Sequence, residues 1–503
     1  MSYRLYPISG KEFVCEDYRV WIDGKEVSCD AARVSAHPLN RRWPGCQRQL
    51  EQTEMINFLS LAMDSPITME IVPPEPFDSV MIRPQSAEIR HEVTAEGSIL
   101  IHLDQPRYFT VEPYGRNRAL HIFADAMPAY AVKPMDENVI YFGQGVHEAG
   151  TIELQSNQTL YLDEGAVVYA CVKAFDVENI RILGRGILDN SHNKEQILFE
   201  AHEQHNDSAV KNAKRQHTIQ LEYCRGVEID GITIRDSLVY NIRPIACQDL
   251  TIRNVKIVGC WRFNSDGIDM HNCENVLIEN CFIRTFDDSI CVKGFDCYHE
   301  KDVEQAVYEA MHYGGGSYEN FRHVRVRGCV IWNDWGRALE IGAETRAEEI
   351  TDVIFEDCDV IHVTSAVLDC QNVDYADVHD ITYRNIRIEL DQVIPKSVIQ
   401  QTDDQKYEIP DPDFVPPLLC SKVAFHHEYS AGGTRRGRNR DILFENIDIL
   451  GRQKPRFTFI GHSEEACSRD IVMRNICHNG RKLTSPEEYV LEMDEFCYGI
   501  RME

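Results

Sequence analysis

Short runs in which apolar and polar residues alternate cover most of this chain, and a change in their spacing divides it in two. Through residues 1–133 the runs recur at roughly ten-residue intervals, with turn-forming residues between them. Such alternation predicts half-buried strands, and a series of short strands separated by turns is typical of a β-sandwich. The pattern therefore predicts an N-terminal β-sandwich-like domain over residues 1–133.

Within this part, the clearest local signal is a hairpin over residues 18–27, where Asp23-Gly24 separates two alternating runs. An Asp-Gly pair suits a two-residue turn because both positions readily adopt positive φ angles. Only residues 50–63 have a pattern that favours a helix. Further strands are predicted at 67–72, 79–84, 98–103, 108–113 and 119–124.

After Pro134 a longer repeat begins. Aligning Val227, Leu250 and Val276 gives steps of 23 and 26 residues, and the 47 residues from Ile180 to Val227 correspond to two steps. A period of about 20–30 residues, with two or three short strands per repeat, is typical of a parallel β-solenoid. Propeller blades repeat at about 40–45 residues, and the leucine grid of a leucine-rich repeat is absent, so both alternatives are disfavoured.

The solenoid is predicted to fill residues 134–503, with insertions near 191–216, 295–320 and 392–439. Loops of this length in a compact fold are usually functional or disordered. Left-handed turn conformations between the coils favour asparagine. Asparagines accordingly stand at predicted strand ends, at Asn179, Asn254, Asn275, Asn280, Asn385 and Asn446.

Composition limits the partners and the compartment. The formal charge of −29, from 81 acidic and 52 basic residues, disfavours nucleic acid and anionic membrane surfaces as partners. No run approaches the roughly 18 apolar residues of a membrane span, and the first residues lack the pattern of a signal peptide. The 18 cysteines are scattered and form no CxxC pair, which predicts reduced core residues, no zinc site and a cytoplasmic location.

Candidate chemistry is concentrated between Asn264 and Gly294. This stretch holds Asp266, Asp287 and Asp288, which are 21 and 22 residues apart, or about one coil. Residues one coil apart stack at the inter-strand spacing of about 4.8 Å. Three carboxylates so close cannot all keep their ordinary pKa values, so at least one is expected to hold a proton near neutral pH. A protonated acid beside an ionised one is what glycosidic bond cleavage requires.

The same residues resemble motifs of glycoside hydrolase family 28, the polygalacturonase-like enzymes of the pectin-lyase-like β-helix superfamily. NSDGID (264–269) is similar to the family's N-T-D-G-I-D run, and FDDSICVK (286–293) is similar to G-D-D-C-hydrophobic-A-hydrophobic-K. GRALEIGAE (336–344) lies where the family has G-H-G-x-x-I-G-S-E. Residues 139–168 and 237–257 also resemble family coils, so the resemblance covers about 139–390.

This resemblance implies a right-handed parallel β-helix and an inverting glycoside hydrolase without metal or cofactor. It implies that Asp287 is the general acid and that Asp266 and Asp288 orient the attacking water. Inverting enzymes leave roughly 6.5–9.5 Å between their carboxylates to make room for that water. The combination of an N-terminal β-sandwich with a β-helix is also similar, in architecture only, to glycoside hydrolase family 49.

Two departures from the family pattern affect the substrate. Arg337 stands in place of the family histidine, and Leu368-Asp369-Cys370 falls where the family has an R-I-K clamp for a uronate. Arg243, Lys293 and Arg337 could still hold a carboxylate, because arginine grips carboxylates bidentately. The sequence leaves the choice between a neutral and a uronic sugar open.

Further candidates surround the acids as predicted substrate-binding residues. Aromatic rings next to the motif are candidate platforms for sugar stacking, while polar side chains at strand ends are candidates for hydrogen bonds. The full predicted set comprises Asn264, Lys293, Arg337, Arg243, His271, Glu340, Asp369, Trp261 and Tyr240.

The predicted function is an inverting, exo-acting glycoside hydrolase of small oligosaccharides. The insertion at 295–320 is expected to wall the cleft, and the one at 392–439 to form a lid or an oligomer contact. Two rivals stay open. One is a β-helix polysaccharide lyase or intramolecular glycosyl transferase, and the other is a carbohydrate-binding solenoid without catalysis.

Overall fold

The computed structural model describes residues 3–10, 14–40, 50–192, 217–294, 321–400, 402, 404–408, 411–426, 430 and 435–503. Regular structure in these ranges is β-strand, apart from the single-turn 3-10 helices Leu50–Gln52, Gln85–Ala87 and Pro486–Glu488. The all-β prediction is therefore confirmed. Among the described residues, no helix is long and apolar enough to cross a membrane.

The first eleven strands build the N-terminal part of the chain. Ten of them belong to one sheet, in the order β7-β10-β11-β5-β3-β2-β6-β9-β8 with β1 beside β5. The strands are β1 (Tyr3–Leu5), β2 (Val14–Ile22), β3 (Lys25–Ser35), β4 (Leu39–Asn40), β5 (Thr53–Met63), β6 (Ile67–Val72), β7 (Met81–Arg83), β8 (Arg90–Val93), β9 (Ile99–Leu103), β10 (Arg107–Arg116) and β11 (Leu120–Ala126).

This sheet folds over on itself, because residues of both of its halves share one apolar core. Ile71 of β6 and Ile101 of β9 belong to the same buried cluster as Leu61 of β5 and Ile122 of β11. The two layers around that cluster have the form of a sandwich.

The local predictions for this part have mixed outcomes. The predicted hairpin forms between β2 and β3, with φ of 48° at Asp23 and 78° at Gly24. The helix predicted over 50–63 is wrong, because most of that segment is β5. This strand pairs with β3 on one side and β11 on the other. Pairing along both edges outweighs local helix propensity, which is worth only tenths of a kcal/mol per residue.

The remaining strands wind into a right-handed parallel β-helix, in which 31 strands are linked by hydrogen bonds. They are β12 (Val139–Phe142), β13 (Gly145–Glu153), β14 (Thr159–Leu162), β15 (Ala166–Phe175), β16 (Glu178–Gly184), β17 (Ile187–Asp189), β18 (Ile219–Glu222), β19 (Arg225–Asp230), β20 (Thr233–Arg235), β21 (Ile242–Ile245), β22 (Gln248–Arg253), β23 (Lys256–Val258), β24 (Ile268–His271), β25 (Glu274–Glu279), β26 (Phe282–Thr285), β27 (Ile290–Gly294), β28 (Phe321–Arg327), β29 (Val330–Asn333), β30 (Leu339–Thr345), β31 (Glu349–Glu356), β32 (Asp359–His362), β33 (Leu368–Asn372), β34 (Asp377–Glu389), β35 (Val398–Ile399), β36 (Leu419–Val423), β37 (Arg438–Leu450), β38 (Arg456–Ile460), β39 (Ser468–His478), β40 (Arg481–Lys482), β41 (Val490–Met493), β42 (Cys497–Tyr498) and β43 (Arg501–Met502). Of these, only β35 lies outside the β-helix, since it pairs with β4.

The coils stack in the register that the repeat predicts, with one exception. Val227 pairs with Leu250, and Leu250 pairs with Val276, so the steps of the central coils are confirmed. Ile180 pairs directly with Val227, which makes this interval one coil rather than the two that were predicted. The alignment failed there because this coil includes residues 193–216, which lie outside the described residues.

Asparagines at the strand ends adopt left-handed turns, as predicted. All six have positive φ angles, between 54° and 57°. Several also stack on one another from coil to coil. Asn446 Nδ2 donates to Asn385 Oδ1 at 2.9 Å, and Asn475 Nδ2 donates to Asn446 Oδ1 at 2.8 Å. The stacked amides bond one turn to the next along the outside of the β-helix.

The outer face of the N-terminal sheet packs against the β-helix. Phe58 and Phe123 share a buried cluster with Phe282 and Trp332. The short strand β4 pairs with β35 at the start of the third predicted insertion.

The structure describes the third predicted insertion in part, but little of the other two. The one near 295–320 lies outside the described residues, as does most of the one near 191–216. The segment 392–439 is not wholly inserted, because β36 within it pairs with β33 and β38 as a regular β-helix strand.

Candidate active site

The two acidic motifs lie at the starts of neighbouring β-helix strands. Asp266 precedes β24, and Asp287 and Asp288 precede β27. Ile268 pairs with Ile290, and the Gly267 amide donates to the Asp288 carbonyl at 2.8 Å. The coil step at this position is therefore 22 residues, which aligns Asp266 with Asp288.

Lys293 draws the carboxylates of both coils together. Its Nζ lies 2.8 Å from Asp269 Oδ2, 3.5 Å from Asp266 Oδ2 and 3.6 Å from Asp288 Oδ2. The side chain is only 6% exposed, so these charges interact with little screening by solvent. The carboxylates raise the pKa of Lys293 against the effect of burial and keep it a cation.

Arg337 approaches the same site from the next coil. Its backbone amide donates to Asp288 Oδ1 at 3.0 Å, and its Nη1 lies 3.7 Å from that oxygen. Its Nε lies 3.1 Å from Asp369 Oδ2 and 3.4 Å from Glu340 Oε1. This close approach requires Gly336, since a Cβ there would lie 2.5 Å from backbone atoms of Asp287 and Asp288.

Neighbouring carboxyl groups in this site have opposite preferences for a proton. Burial and the nearby Asp288 raise the pKa of Asp287 to about 7. Burial also opposes the charge of Asp288, but Lys293, Arg337 and the Arg337 amide outweigh it and lower the pKa of Asp288. Burial, followed by Asp269 and Asp287, raises the pKa of Asp266 well above its ordinary value.

Glu340 and Asp369 continue the row of outward-facing positions. Cys291 pairs with Glu340, which pairs with Asp369 on the following coil. Burial raises the pKa of Glu340 well above its ordinary value, although Arg337 opposes the shift. A protonated Glu340 can donate a hydrogen bond to Asp288, and such a bond contributes to the low pKa of Asp288.

A metal ion was tested against this group of side chains. Ligand atoms of Asp288, Cys291 and Glu340 all lie within 4.8 Å of one another. However, the Cys291 thiol donates to Glu340 Oε2 at 3.2 Å, and burial raises the pKa of Cys291 well above its ordinary value. A metal needs the thiolate, so a thiol–carboxyl hydrogen bond explains this geometry better than a metal site does.

Aromatic and basic side chains border the acids on the preceding coils. Lys293 Nζ lies 5.4 Å from the centre of the Tyr240 ring, which stacks near His271 at 6.5 Å. Arg243 lies over the same ring at 5.7 Å, with its Nη1 3.2 Å from His217 Nε2. Burial, helped by Arg243 and Lys293, lowers the pKa of His271 well below its ordinary value, so this ring is neutral.

The sequence pattern of Glycosyl hydrolases family 28 matches residues 135–409, more than half of the chain and all of the strands that carry these acids. This chain belongs to glycosyl hydrolase family 28. The resemblance seen in its motifs is thereby confirmed.

Individual relatives of this family 28 chain are distant. It is 24% identical to a polygalacturonase of Gossypium barbadense over 230 residues, 44% of this chain and 54% of the relative. It is 34% identical to a probable polygalacturonase of Vitis vinifera over 86 residues, 17% of this chain and 18% of that protein. The chain thus spans about half the length of the cotton relative.

Among solved structures, Dex49A from Penicillium minioluteum has a TM-score of 0.61 and 12% identity. The match covers 99% of this chain and 96% of Dex49A, so it includes the N-terminal domain as well as the β-helix. At this identity the likeness shows the fold alone. It agrees with the architectural similarity to family 49 that the sequence suggested.

The family 28 fold brings most of the predicted site residues together. The three catalytic candidates are linked to Lys293 and Arg337 by ion pairs or through their pKa values, and Arg337 in turn contacts Glu340 and Asp369. Tyr240, His271 and Arg243 form the bordering group. Trp261 contacts a different pair of residues. Its Nε1 donates to Asp236 at 2.9 Å, and the Arg262 guanidinium lies over its ring at 4.2 Å.

Sequence reasoning assigned no role to Asp269, although it has the shortest contact with Lys293. The alternation within β24 was the available signal. Met270 belongs to the buried core of the β-helix, so its neighbour Asp269 must face the other way, toward the acids. Asn264, predicted from the motif, forms a left-handed turn with φ of 55° just before Asp266.

Proposed function

We propose that this family 28 chain is an inverting glycoside hydrolase in which Asp287 is the general acid and Asp288, with Asp266, activates water. The observation that supports this assignment is the opposite shift of two adjacent carboxyl groups. The pKa of Asp287 is raised to about 7 by burial and Asp288, while that of Asp288 is lowered by Lys293 and Arg337 despite burial. One proton donor beside one ionised acceptor is the arrangement that inversion needs.

In the proposed step, Asp287 gives its proton to the glycosidic oxygen as the bond from that oxygen to the anomeric carbon breaks. A water attacks the anomeric carbon from the opposite face, and Asp288 takes the proton that the water loses. The sugar leaves with inverted configuration, and the proton on Asp288 returns to Asp287 through solvent. Atoms and charges balance over the cycle without a cofactor.

Asp266 has a supporting role in this proposal. Because its pKa is raised, it keeps a proton more readily than Asp288 does, so it orients the water by hydrogen bonding rather than by accepting its proton. Lys293 holds both of these carboxyl groups, at 3.5 Å and 3.6 Å. A single cation thus fixes the two groups between which the water would lie.

Exo action on small oligosaccharides is also part of the proposal, supported by a wall beside the acids. Trp335, two residues before Arg337, donates from Nε1 to the Val398 carbonyl at 3.0 Å, and Ser397 Oγ donates to the Trp335 carbonyl at 2.5 Å. Val398 also pairs with Leu39 of the N-terminal domain. A cleft blocked on one side holds a chain end better than the middle of a polymer.

We further propose a reducing compartment such as the cytoplasm. Fifteen described cysteines carry free thiols, and thirteen of them are buried. Some lie next to one another on successive coils, where Cys281, Cys329 and Cys358 are close enough for hydrogen bonds between thiols. Neighbouring thiols stay reduced where glutathione and thioredoxin keep them so.

The experiment compares Asp287→Asn with the parent enzyme on a panel of disaccharides. Loss of the proton donor is expected to lower kcat by about 10²- to 10⁴-fold, the usual contribution of a general acid. Asp249→Asn is the matched control, since Asp249 is an exposed strand-end aspartate on a nearby coil. NMR of the first-formed product should show the anomer opposite to that of the substrate.

Four outcomes would contradict the proposal. Unchanged turnover by Asp287→Asn would rule out Asp287 as the acid. A retained anomer would exclude inversion, and an unsaturated product would indicate a lyase instead. Binding of glycans without any turnover by the parent protein would favour a carbohydrate-binding solenoid.

A further inference from the structure

The charge of the sugar can be inferred from the cations at the site. A substrate carboxylate next to the reacting bond needs a cation whose charge is available to it, and arginine or lysine normally serves. In the part of the chain that the structure describes, Lys293 and Arg337 are the cations that form ion pairs with Asp266 and Asp288 or lower the pKa of Asp287. Each of the two is already held by acidic side chains of the protein.

Lys293 is surrounded by acidic side chains of the protein. Asp269, Asp266 and Asp288 lie within 3.6 Å of its Nζ, and Glu344 Oε2 lies 4.0 Å away. Its side chain is 6% exposed. An incoming carboxylate would have to displace one of these buried anions, which would leave that group without its partner.

Arg337 is the more exposed cation, with 27% of its side chain accessible. Its Nε edge faces Asp369 at 3.1 Å and Glu340 at 3.4 Å, and Nη1 lies 3.7 Å from Asp288. The edge that would grip a substrate carboxylate in the bidentate manner is thus turned to residues of the chain itself. Asp369, with 2% exposure, is fixed in this position by burial.

Among the described residues, the other groups around the site add no available positive charge. His271 is neutral because burial lowers its pKa well below the ordinary value. Arg243 is 1% exposed, beside His217 and over the Tyr240 ring. The carboxyl groups of Asp269 and Glu340 also have raised pKa values, chiefly through burial. They are therefore no source of positive charge, and the ionised Asp288 would repel a further anion at low effective dielectric.

We infer that the subsite beside Asp287 and Asp288 takes an uncharged sugar rather than a uronate, and that Asp369 sets this preference by holding Arg337. This inference rests on the proposed function, because it names the substrate class of the same site. It makes Asp369 a specificity-determining residue that acts through Arg337, and it separates substrate choice from the acid chemistry of the neighbouring coils.

Binding measured without turnover tests the inference. Asp287→Asn protein is titrated calorimetrically with pairs of methyl glycosides that differ only at C6, such as a galactopyranoside and its galactopyranosiduronic acid. The neutral member should bind at least about tenfold more tightly. Equal or tighter binding of the uronate would overturn the inference, as would tighter binding of a cationic amino sugar or no binding by any of them.

Adding Asp369→Asn to this protein releases Arg337, and the affinity for the uronate is expected to rise about tenfold while that for the neutral sugar stays within about twofold. Glu348→Gln, which removes an exposed carboxylate paired with Arg435, is the control and should change neither affinity.

If Asp369→Asn leaves uronate binding unchanged, or if Arg243→Met abolishes tight uronate binding, the role of Asp369 is refuted. Parent enzyme that hydrolyses galacturonate oligomers with inversion would overturn this inference and leave the proposed function standing.

Discussion

At the scale of single residues, the adjacent Asp287 and Asp288 differ in pKa because different groups contact their carboxyl groups. The Asp288 carboxyl accepts from the Arg337 amide at 3.0 Å and lies near Lys293, at 3.6 Å. Within the described ranges, the hydrogen bonds to Asp287 from Thr285 and Asn333 reach its backbone carbonyl and not its carboxyl group. Burial acts on both residues. Lys293 and Arg337 lower the pKa of both groups, whereas the hydrogen bonds from the Arg337 amide and from Glu340 act on Asp288 alone and favour its ionised form.

The pH dependence of kcat/KM should report this difference. Asp287 must be protonated, so activity is expected to fall as pH rises through about 7, the pKa of this group. Asp288 must be ionised, and because its pKa is lowered, activity should persist into the acidic range. Arg337→Met removes a positive charge that favours ionisation of both groups, so both limbs of the profile should move to higher pH.

Arg325→Met is the control for this profile, because Arg325 pairs with Asp352 on the outside of the β-helix. It should leave both limbs in place. A profile of Arg337→Met that coincides with that of the parent enzyme would contradict the assigned electrostatics.

At the scale of the elements, the turns between coils are held by asparagines that satisfy two requirements at once. Asn446 has a left-handed backbone with φ of 54°, and its amide both donates to Asn385 and accepts from Asn475. Few side chains tolerate this backbone and also bond along the stack. The spacing of the coils, on which the alignment of Asp266 with Asp288 depends, is fixed by turns of this kind.

Asn446→Ala should therefore lower the free energy of unfolding by about 1–3 kcal/mol, through two lost hydrogen bonds and a strained alanine. Asn446→Gly removes the same hydrogen bonds but accepts the left-handed turn, so it should cost measurably less despite the flexibility of glycine. Urea unfolding of both variants separates the two contributions. Equal losses would show that the backbone conformation contributes nothing.

At the scale of the whole molecule, a buried ion network joins the N-terminal domain to the β-helix. Arg83 contacts Glu112 at 3.2 Å within its own domain, and Glu389 at 2.6 Å and Asp391 at 3.5 Å in the β-helix. His362 Nε2 lies 3.0 Å from Glu112. Since one arginine balances three acids with its side chain only 8% exposed, the position of the two domains is tied to its presence.

Arg83→Met should lower stability by about 3–5 kcal/mol, because it removes the arginine that contacts all three buried carboxylates. Arg90→Met is the matched control in the same domain. Arg90 pairs with Asp104 at 2.8 Å, but the two side chains are 68% and 61% exposed, so the loss should be at most about 1 kcal/mol. Urea midpoints with unchanged slopes measure both, and similar losses would contradict the importance of this network.

The repeat, its turns and the positions of the acidic motifs could all be predicted from the amino-acid sequence. Alternation along the chain specifies which side chains face the core, and asparagines mark the left-handed turns, because both signals are local. NSDGID and the following Asp-Asp pair could likewise be assigned to neighbouring coils from their spacing alone. The local pattern misled where long-range pairing overrode it, as in the segment 50–63, whose strand pairs with β3 and β11.

Which charged groups contact one another depends on how the coils stack. The step of 22 residues aligns Asp266 with Asp288, and the pairing of Glu340 with Asp369 places both beside Arg337. These contacts depend on the register of the strands and on the direction of side chains from different coils. Asp288 and Asp369, for example, are 81 residues apart in the sequence. Local pattern contains no such information, so the acids could be predicted from sequence, whereas the pairing that assigns a proton to Asp287 could not.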